Sequence, residues 1–229
     1  FLEIKISHDI GQVKGGGGVS LFLQNGIDYT IRDDLSVFNK SYETLFIEIS
    51  KEVFSTPRNV IVGVLYRIPN TNIDDFNQYM KSVTSTLQRE NKICYLMGDY
   101  NINLINADKH TPTNDFLEIM YSSGFIPLMT KPTRVKDSLA TLIDNIFTNN
   151  IKDSDCYKGI FYCDISDHFP VFIIDDSYQL TPPSKTTFHR LYNIQNNKKF
   201  RSLLESSHPD ETINNQNARE AYPLVPSRS

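Results

Sequence analysis

Cysteine is scarce in this 229-residue chain: Cys94, Cys156 and Cys163 are an odd count without CxxC spacing, which excludes a disulfide framework or a cysteine zinc site as the organising element. They read as reduced and structural. No apolar run approaches the roughly 18 residues of a membrane span, and no charged-then-apolar leader opens the chain, so an intracellular protein without a membrane partner is expected. A basic surplus is lacking too. The net charge is −4; residues 177–229 hold seven Lys/Arg against four Asp/Glu, leaving the body at 16 against 23. A body of net −7 argues against tight, nonspecific phosphate neutralisation, and suits carboxylates that hold divalent cations as well as it suits a solvated surface. The chain opens at Phe1, not Met, as a processed product, a fragment or an incomplete frame would.

What is present is enough apolar residue, 39% of the chain, for one large domain, and the patterning divides it at residue 176. "GGGGVSLFL" reads as a flexible turn followed by a strand alternating Val19, Leu21 and Leu23, since neither dinucleotide nor P-loop spacing follows the glycines. "LFIEIS" sets Leu45, Ile47 and Ile49 against Phe46 and Glu48, and "NVIVGVLYRIPN" is a continuous buried-strand run. Between Asn72 and Asn91 the apolar Ile73, Phe76, Met80, Val83 and Leu87 recur at helical spacing, with Asp74 and Asp75 early and Lys92 late. A strand at Ile93–Met97, a helix at Asn114–Ser122 and strands at Leu142–Thr148, Gly159–Cys163 and Pro170–Ile174 complete residues 1–176. Residues 177–229 turn to Pro, Ser, Asn, Gln and charge and read as a linker or disordered tail, with at most a short helix at Phe200–Leu204.

Several polar residues fall at the ends of these strands: Tyr66 after "VIVGVL", Asp99 and Asn101 after "CYLM", Asp144 in "TLIDNIF", and Asp167 with His168 in "SDHFPV". Each has a structural account when taken singly, since Asx residues cap turns and a lone His usually satisfies its surroundings. Together they supply what metal-assisted phosphodiester hydrolysis needs: oxygen ligands for a divalent cation, a carboxylate to orient water, and donors for the charge of the transition state.

In order and spacing, "LYRIPN", "GDYN", "TLIDNIF" and "SDHFPV", helped by "GGGGVSLFL" and "KPTR", resemble the motifs of the endonuclease/exonuclease/phosphatase superfamily. The likeness is greatest to the apurinic-endonuclease-like domain of non-LTR (LINE-type) retrotransposons of the jockey and CR1 types, and it covers Gly15–Asp176. It implies an α/β, DNase I-like four-layer sandwich: two packed mixed sheets, helices outside, the site at one rim, and the first strands missing. It further implies that Tyr66 contacts the scissile phosphate, that Asp99 orients or deprotonates water, and that Asn101 helps hold phosphate and metal. Asp144 would pair with His168, Asp167 would stand on the metal side, and Arg67, Lys131 and Arg134 are candidates for nucleic-acid contact. Mg or Mn, a target-site DNA duplex, the reverse transcriptase region of the same polyprotein and a nuclear place of action follow from the same resemblance.

The chain departs from that pattern at its start. The family's metal-binding Glu, in an "ETWL"-like strand, lies well upstream of the glycines, and Glu3 in "FLEIKI" is the candidate here, at a distance that is too short. Two functions therefore stand: a Mg-dependent endonuclease that nicks target DNA for retrotransposition, or a truncated, catalytically dead domain with weak metal or nucleic-acid binding. A signalling phosphatase or sphingomyelinase of the superfamily is a third, disfavoured by the "KPTR…TLIDNIF" spacing.

Overall fold

β-branched and aromatic residues concentrate in two runs, and these form the longest strands, paired as a hairpin. The computed structural model describes residues 18–24, 26–150, 156–176 and 194–206. Short strands β1 (Tyr29–Ile31) and β2 (Val37–Phe38) precede β3 (Tyr42–Ile49), helix α1 (Lys51–Phe54) and β4 (Val60–Arg67). Helix α2 (Ile73–Glu90) carries the chain across to β5 (Ile93–Asp99), and a 3-10 turn, Leu104–Lys109, leads into α3 (Thr111–Ser122). Then come β6 (Ile126–Pro127), β7 (Arg134–Lys136), β8 (Leu139–Thr141), β9 (Asp144–Thr148), β10 (Cys156–Ile160), β11 (Val171–Asp175) and α4 (Ile194–Ser206). The chain divides into two compact units, Phe1–Pro183 and Ser184–Ser229, and in the second the described element is α4.

Seven strands form one mixed sheet in the order β1-β3-β4-β5-β9-β6, with β2 also on β3. β4 and β5 are parallel, as the α2 crossover requires, and the remaining pairs are antiparallel. On one face Phe46, Ile61, Leu65, Cys94, Leu96 and Phe147 meet Phe76, Met80, Val83 and Leu87 of α2 and Phe116 and Met120 of α3. Helix α2 stops and starts on asparagines: the Asn72 side chain accepts from the Asp74 N–H, and Asn91 takes the left-handed conformation with φ 51°. Tyr100 is buried in this layer with its hydroxyl on the Leu96 carbonyl at 2.9 Å.

The opposite face has two covers. Val19 and Leu21 pack on Leu45, Ile47 and Ile49, while Ile160, Val171 and Ile173 of the β10–β11 ribbon pack on the cluster of Tyr95 and Ile146. Among the described residues, the second sheet of the expected sandwich is this ribbon.

Several boundaries differ from the sequence reading. Residues 18–24 pair in no ladder, although the alternation of Val19 and Leu21 toward the core is present. β9 begins at Asp144 because the Leu142 N–H is taken by the Asn103 side chain and the Ile143 N–H by Thr133, which ends ladder geometry there. β10 ends at Ile160, where Phe161–Cys163 lead into the loop before His168. α3 starts three residues early at Thr111, with Pro112 in its first turn, where a missing N–H costs nothing. α4 runs 13 residues where a short Phe200–Leu204 helix was expected. The β7–β8 hairpin, turned at Asp137 with φ 53°, was not anticipated.

At the far end of the sheet from Asp99, an ion network joins β1, β3 and α2. The Arg32 guanidinium reaches Asp34, Glu48 and Glu90 at 2.7–3.1 Å, and Lys92 reaches Glu48 and Glu90 at 2.6–2.8 Å. The Arg32 contact, helped by Lys92, holds Glu90 down at about 2. Arg32 is 11% exposed, between the surface and buried limits, so Arg32→Met is expected to cost about 2 kcal/mol in urea unfolding. A loss under about 0.5 kcal/mol would show the network to be an ordinary surface cluster.

Candidate active site

Cross-strand register decides which polar residues meet. Glu43 on β3 lies opposite Tyr66 on β4, Tyr66 beside Asp99 on β5, and Asp99 opposite Asp144 on β9. Directly paired residues point to one face, so these four make a row on the face away from the helices. Neighbouring strands are about 4.8 Å apart, so Tyr66 and Asp144 stand about 10 Å apart with Asp99 between them. His168 completes the group, its Nδ1 3.1 Å from both oxygens of Asp144. Ligand atoms of Asp99, Asp144 and His168 all lie within 4.8 Å of one another, and all three side chains are half-buried.

The local sequence explains why these groups hold still. Gly98 lets β5 run against the Leu65 backbone, and Asn101, at φ 48°, turns the chain back. The Asn101 N–H donates to Asp99 Oδ1 at 2.9 Å, and its Nδ2 donates to Asp99 Oδ2 at 3.1 Å and to the Arg67 carbonyl at 2.7 Å. With Nδ2 engaged, Oδ1 is the amide atom that can serve a ligand. Thr133, fully buried, accepts from the Asp144 N–H at 2.9 Å, while its carbonyl accepts from the Phe169 N–H at 2.7 Å. One threonine thus fixes both the aspartate and the chain beside the histidine.

Electrostatics sharpen Asp99. Burial and the facing Asp144 raise its carboxyl to about 6, against the pull of the Asn101 N–H, His168 and Arg134. Burial, Asp99 and Glu43 likewise raise the Tyr66 hydroxyl. Two carboxylates forced together at the end of a sheet are relieved by a divalent cation, and oxygen donors suit Mg or Mn. The donor set fits: Asp99, Asp144 and Asn101 Oδ1 can hold the ion.

Other sequence candidates land elsewhere. Arg67 is 3% exposed, and its guanidinium donates to the carbonyls of Tyr100, Asn101 and Thr71 and to the Thr71 hydroxyl at 2.7–2.9 Å. It shapes the loop that carries Asp99 and does not offer itself to nucleic acid, which corrects the expectation. Asp167 lies outside the three-residue group, held by Arg134 at 2.9 Å, which lowers its carboxyl. Arg134 is thereby partly neutralised, and Lys131 is exposed. Glu3 and Gly15–Gly17 fall outside the described residues.

Sequence reasoning missed Glu43 and Thr133. Alternation puts Glu43 on the face of Leu45 and Ile47, yet only the register with Tyr66 brings it to the row.

Against solved structures, the chain is similar to the endonuclease domain of TRAS1, a telomere-specific non-LTR retrotransposon. The TM-score is 0.52 and the identity 14%, over 68% of this chain and 70% of that one. The chain shares the DNase I-like fold of that domain. A weaker likeness, TM-score 0.43 at 16% identity over 65% and 61% of the two chains, is to an endonuclease/exonuclease/phosphatase family protein from Leptotrichia buccalis C-1013-b. No family model matches the sequence, nor does any curated protein sequence. In this fold, β4 and β5 deliver Tyr66 and Asp99 at their carboxyl ends, and antiparallel β9 starts there with Asp144. Strand direction therefore explains why motifs far apart in sequence converge on one rim.

Proposed function

We propose that the chain is a divalent-metal phosphodiesterase that nicks DNA, the endonuclease part of a LINE-type retroelement protein. The observation that carries this reading is the convergence of Asp99, Asp144 and His168 within 4.8 Å beside Tyr66 and Asn101. Similarity to the TRAS1 domain supports nucleic acid over a small phosphoester. On this reading the protein works in the nucleus, beside the reverse transcriptase region of its polyprotein.

The geometry performs the reaction as follows. Asp144 accepts from His168 Nδ1–H, which turns Nε2 outward to donate to a phosphoryl oxygen. Asp99, as the carboxylate, takes a proton of the attacking water as the water oxygen bonds to phosphorus; the P–O bond to the leaving strand breaks and the leaving oxygen takes up a proton from solvent, while hydrogen bonds from Asn101 keep Asp99 aimed. Tyr66 donates to the scissile phosphate. A bound Mg or Mn would neutralise phosphoryl oxygens as bond breaking builds charge.

The test is a time course on supercoiled plasmid with the full chain and Mg, beside Asp144→Ala and an EDTA control. Conversion to open circles by the wild type, reduced at least 100-fold in both controls, is expected. Equal rates in all three, or none in any, would overturn the reading.

A further inference from the structure

Between β10 and β11, residues 161–170 bring His168 to the site although none of them is buried, and the Tyr162–Phe169 ring contact lies within the segment itself. Apolar burial therefore does little to set the place of the histidine, and polar ties to β7 take over. The Val135 N–H donates to the Asp167 carbonyl at 2.9 Å and the Phe169 N–H to the Thr133 carbonyl at 2.7 Å, so the backbone on both sides of His168 is held against Arg134, its bridge partner. A side-chain ion pair adds to this hold: Nε and Nη2 of Arg134 both stand 2.9 Å from Asp167 Oδ2. The His168 N–H donates to Ser166 Oγ at 3.0 Å, which closes the turn from Ser166 to His168, so a grip on Asp167 reaches the next residue. The start of β7 is fixed in turn to the other partner of the histidine, because Thr133 Oγ1 accepts from the Asp144 N–H at 2.9 Å.

We propose that Arg134 and Asp167 are a positioning pair for His168: their ion pair clamps the turn from Ser166 to His168 onto β7 and so keeps the imidazole Nδ1 on Asp144. Its effect on turnover rests on the phosphodiesterase reading. Asp167 then acts through the histidine and not on a metal, for its Oδ2 is occupied by the guanidinium, and the ligand atoms within 4.8 Å of one another belong to Asp99, Asp144 and His168. The two side chains are 35% and 37% exposed, and a pair in that position shifts a conformational balance by no more than about fivefold. Loss of the pair should therefore slow turnover modestly and leave the fold intact.

The full chain, Arg134→Met, Asp167→Ala and the double variant are compared in plasmid nicking with Mg and in urea unfolding. The same proteins, free of metal and at an alkaline pH where imidazoles are neutral, are read by long-range proton–nitrogen NMR of the His168 ring, assigned by its loss in His168→Gln. The wild type is expected to show the Nδ1–H tautomer that a bond to Asp144 requires, and each variant a shift toward the Nε2–H form at an unchanged urea midpoint. Turnover, kcat, should fall about three- to fivefold in each single variant and no further in the double, with KM and the half-saturating Mg concentration within about twofold of the wild type. An unmoved tautomer in both single variants, or losses that multiply in the double, would overturn the pair. A rise in KM for Arg134→Met with the tautomer unmoved would mark a contact with DNA, and a rise in half-saturating Mg for Asp167→Ala a metal ligand; either result also overturns it. Because the NMR needs neither metal nor turnover, a tautomer shift without nicking by the wild type sinks only the phosphodiesterase reading, and nicking with an unmoved tautomer sinks only the pair.

Discussion

Asp99→Asn is expected to lower plasmid nicking by 10²–10⁴ and yet to raise the melting temperature of the metal-free protein at pH 7.5. The two effects have one cause. In the fold the Asp99 carboxyl titrates near 6 against an ordinary 3.8, because burial and Asp144 oppose its charge. A group raised in this way favours the folded state while protonated, and that advantage is lost as pH rises through about 6. Two pKa units correspond to about 3 kcal/mol, which the partial exposure of the carboxyl reduces to about 1.5 kcal/mol. The amide keeps the bond from the Asn101 N–H but gives up the acceptor for Asn101 Nδ2, so a net gain of about 1 kcal/mol is expected, or about 2–4 °C. The gain should shrink to nothing by about pH 4. Scanning calorimetry across that range, with and without Mg, checks it: Mg should stabilise the wild type and leave Asp99→Asn unmoved. A variant less stable than wild type at every pH would show that Asp99 is held for structure and carries no stored electrostatic cost.

Gly98→Ala is expected to be the most damaging glycine-to-alanine substitution among the described residues. Gly98 sits at φ 152° in β5, and a Cβ there would stand 1.8 Å from the Leu65 carbonyl oxygen and 2.8 Å from its carbon. The obstacle is backbone in the centre of the sheet, paired on both sides, so it cannot swing away as a side chain would. Relief demands that β4 and β5 separate, which breaks the Leu65–Gly98 register and moves Asp99 from Asp144. A loss above about 4 kcal/mol, seen as a collapsed urea midpoint or insoluble protein, is expected. Gly26→Ala is the comparison: its φ is 86° but nothing lies within 4 Å, so the cost is the left-handed backbone alone, about 1 kcal/mol. Similar midpoints for the two variants would refute the steric argument.

Local pattern was enough for the helix α2, whose apolar spacing and flanking asparagines set both ends within a residue. It was enough for the two long strands, where β-branched runs leave no alternative period. It failed for the opening of β9, because that boundary is set by side chains of Asn103 and Thr133 bonding backbone from distant segments, and it gave no sign of the short β7–β8 hairpin. Motif spelling singled out Tyr66, Asp99, Asn101, Asp144 and His168, but it could not separate a surface arginine from Arg67, whose burial follows from the loop folding over it.

What the sequence by itself determined is therefore the composition of the rim: which polar residues fall near the ends of which strands. What only the tertiary structure decided is the register across β3, β4, β5 and β9, which lines Glu43, Tyr66, Asp99 and Asp144 in a row, and the return of His168 to Asp144. Register is a property of pairs of strands, and each strand's own period of two is satisfied by many alignments. The choice among them is made by α2, α3 and the ribbon packing on the two faces, long-range contacts that no single segment encodes.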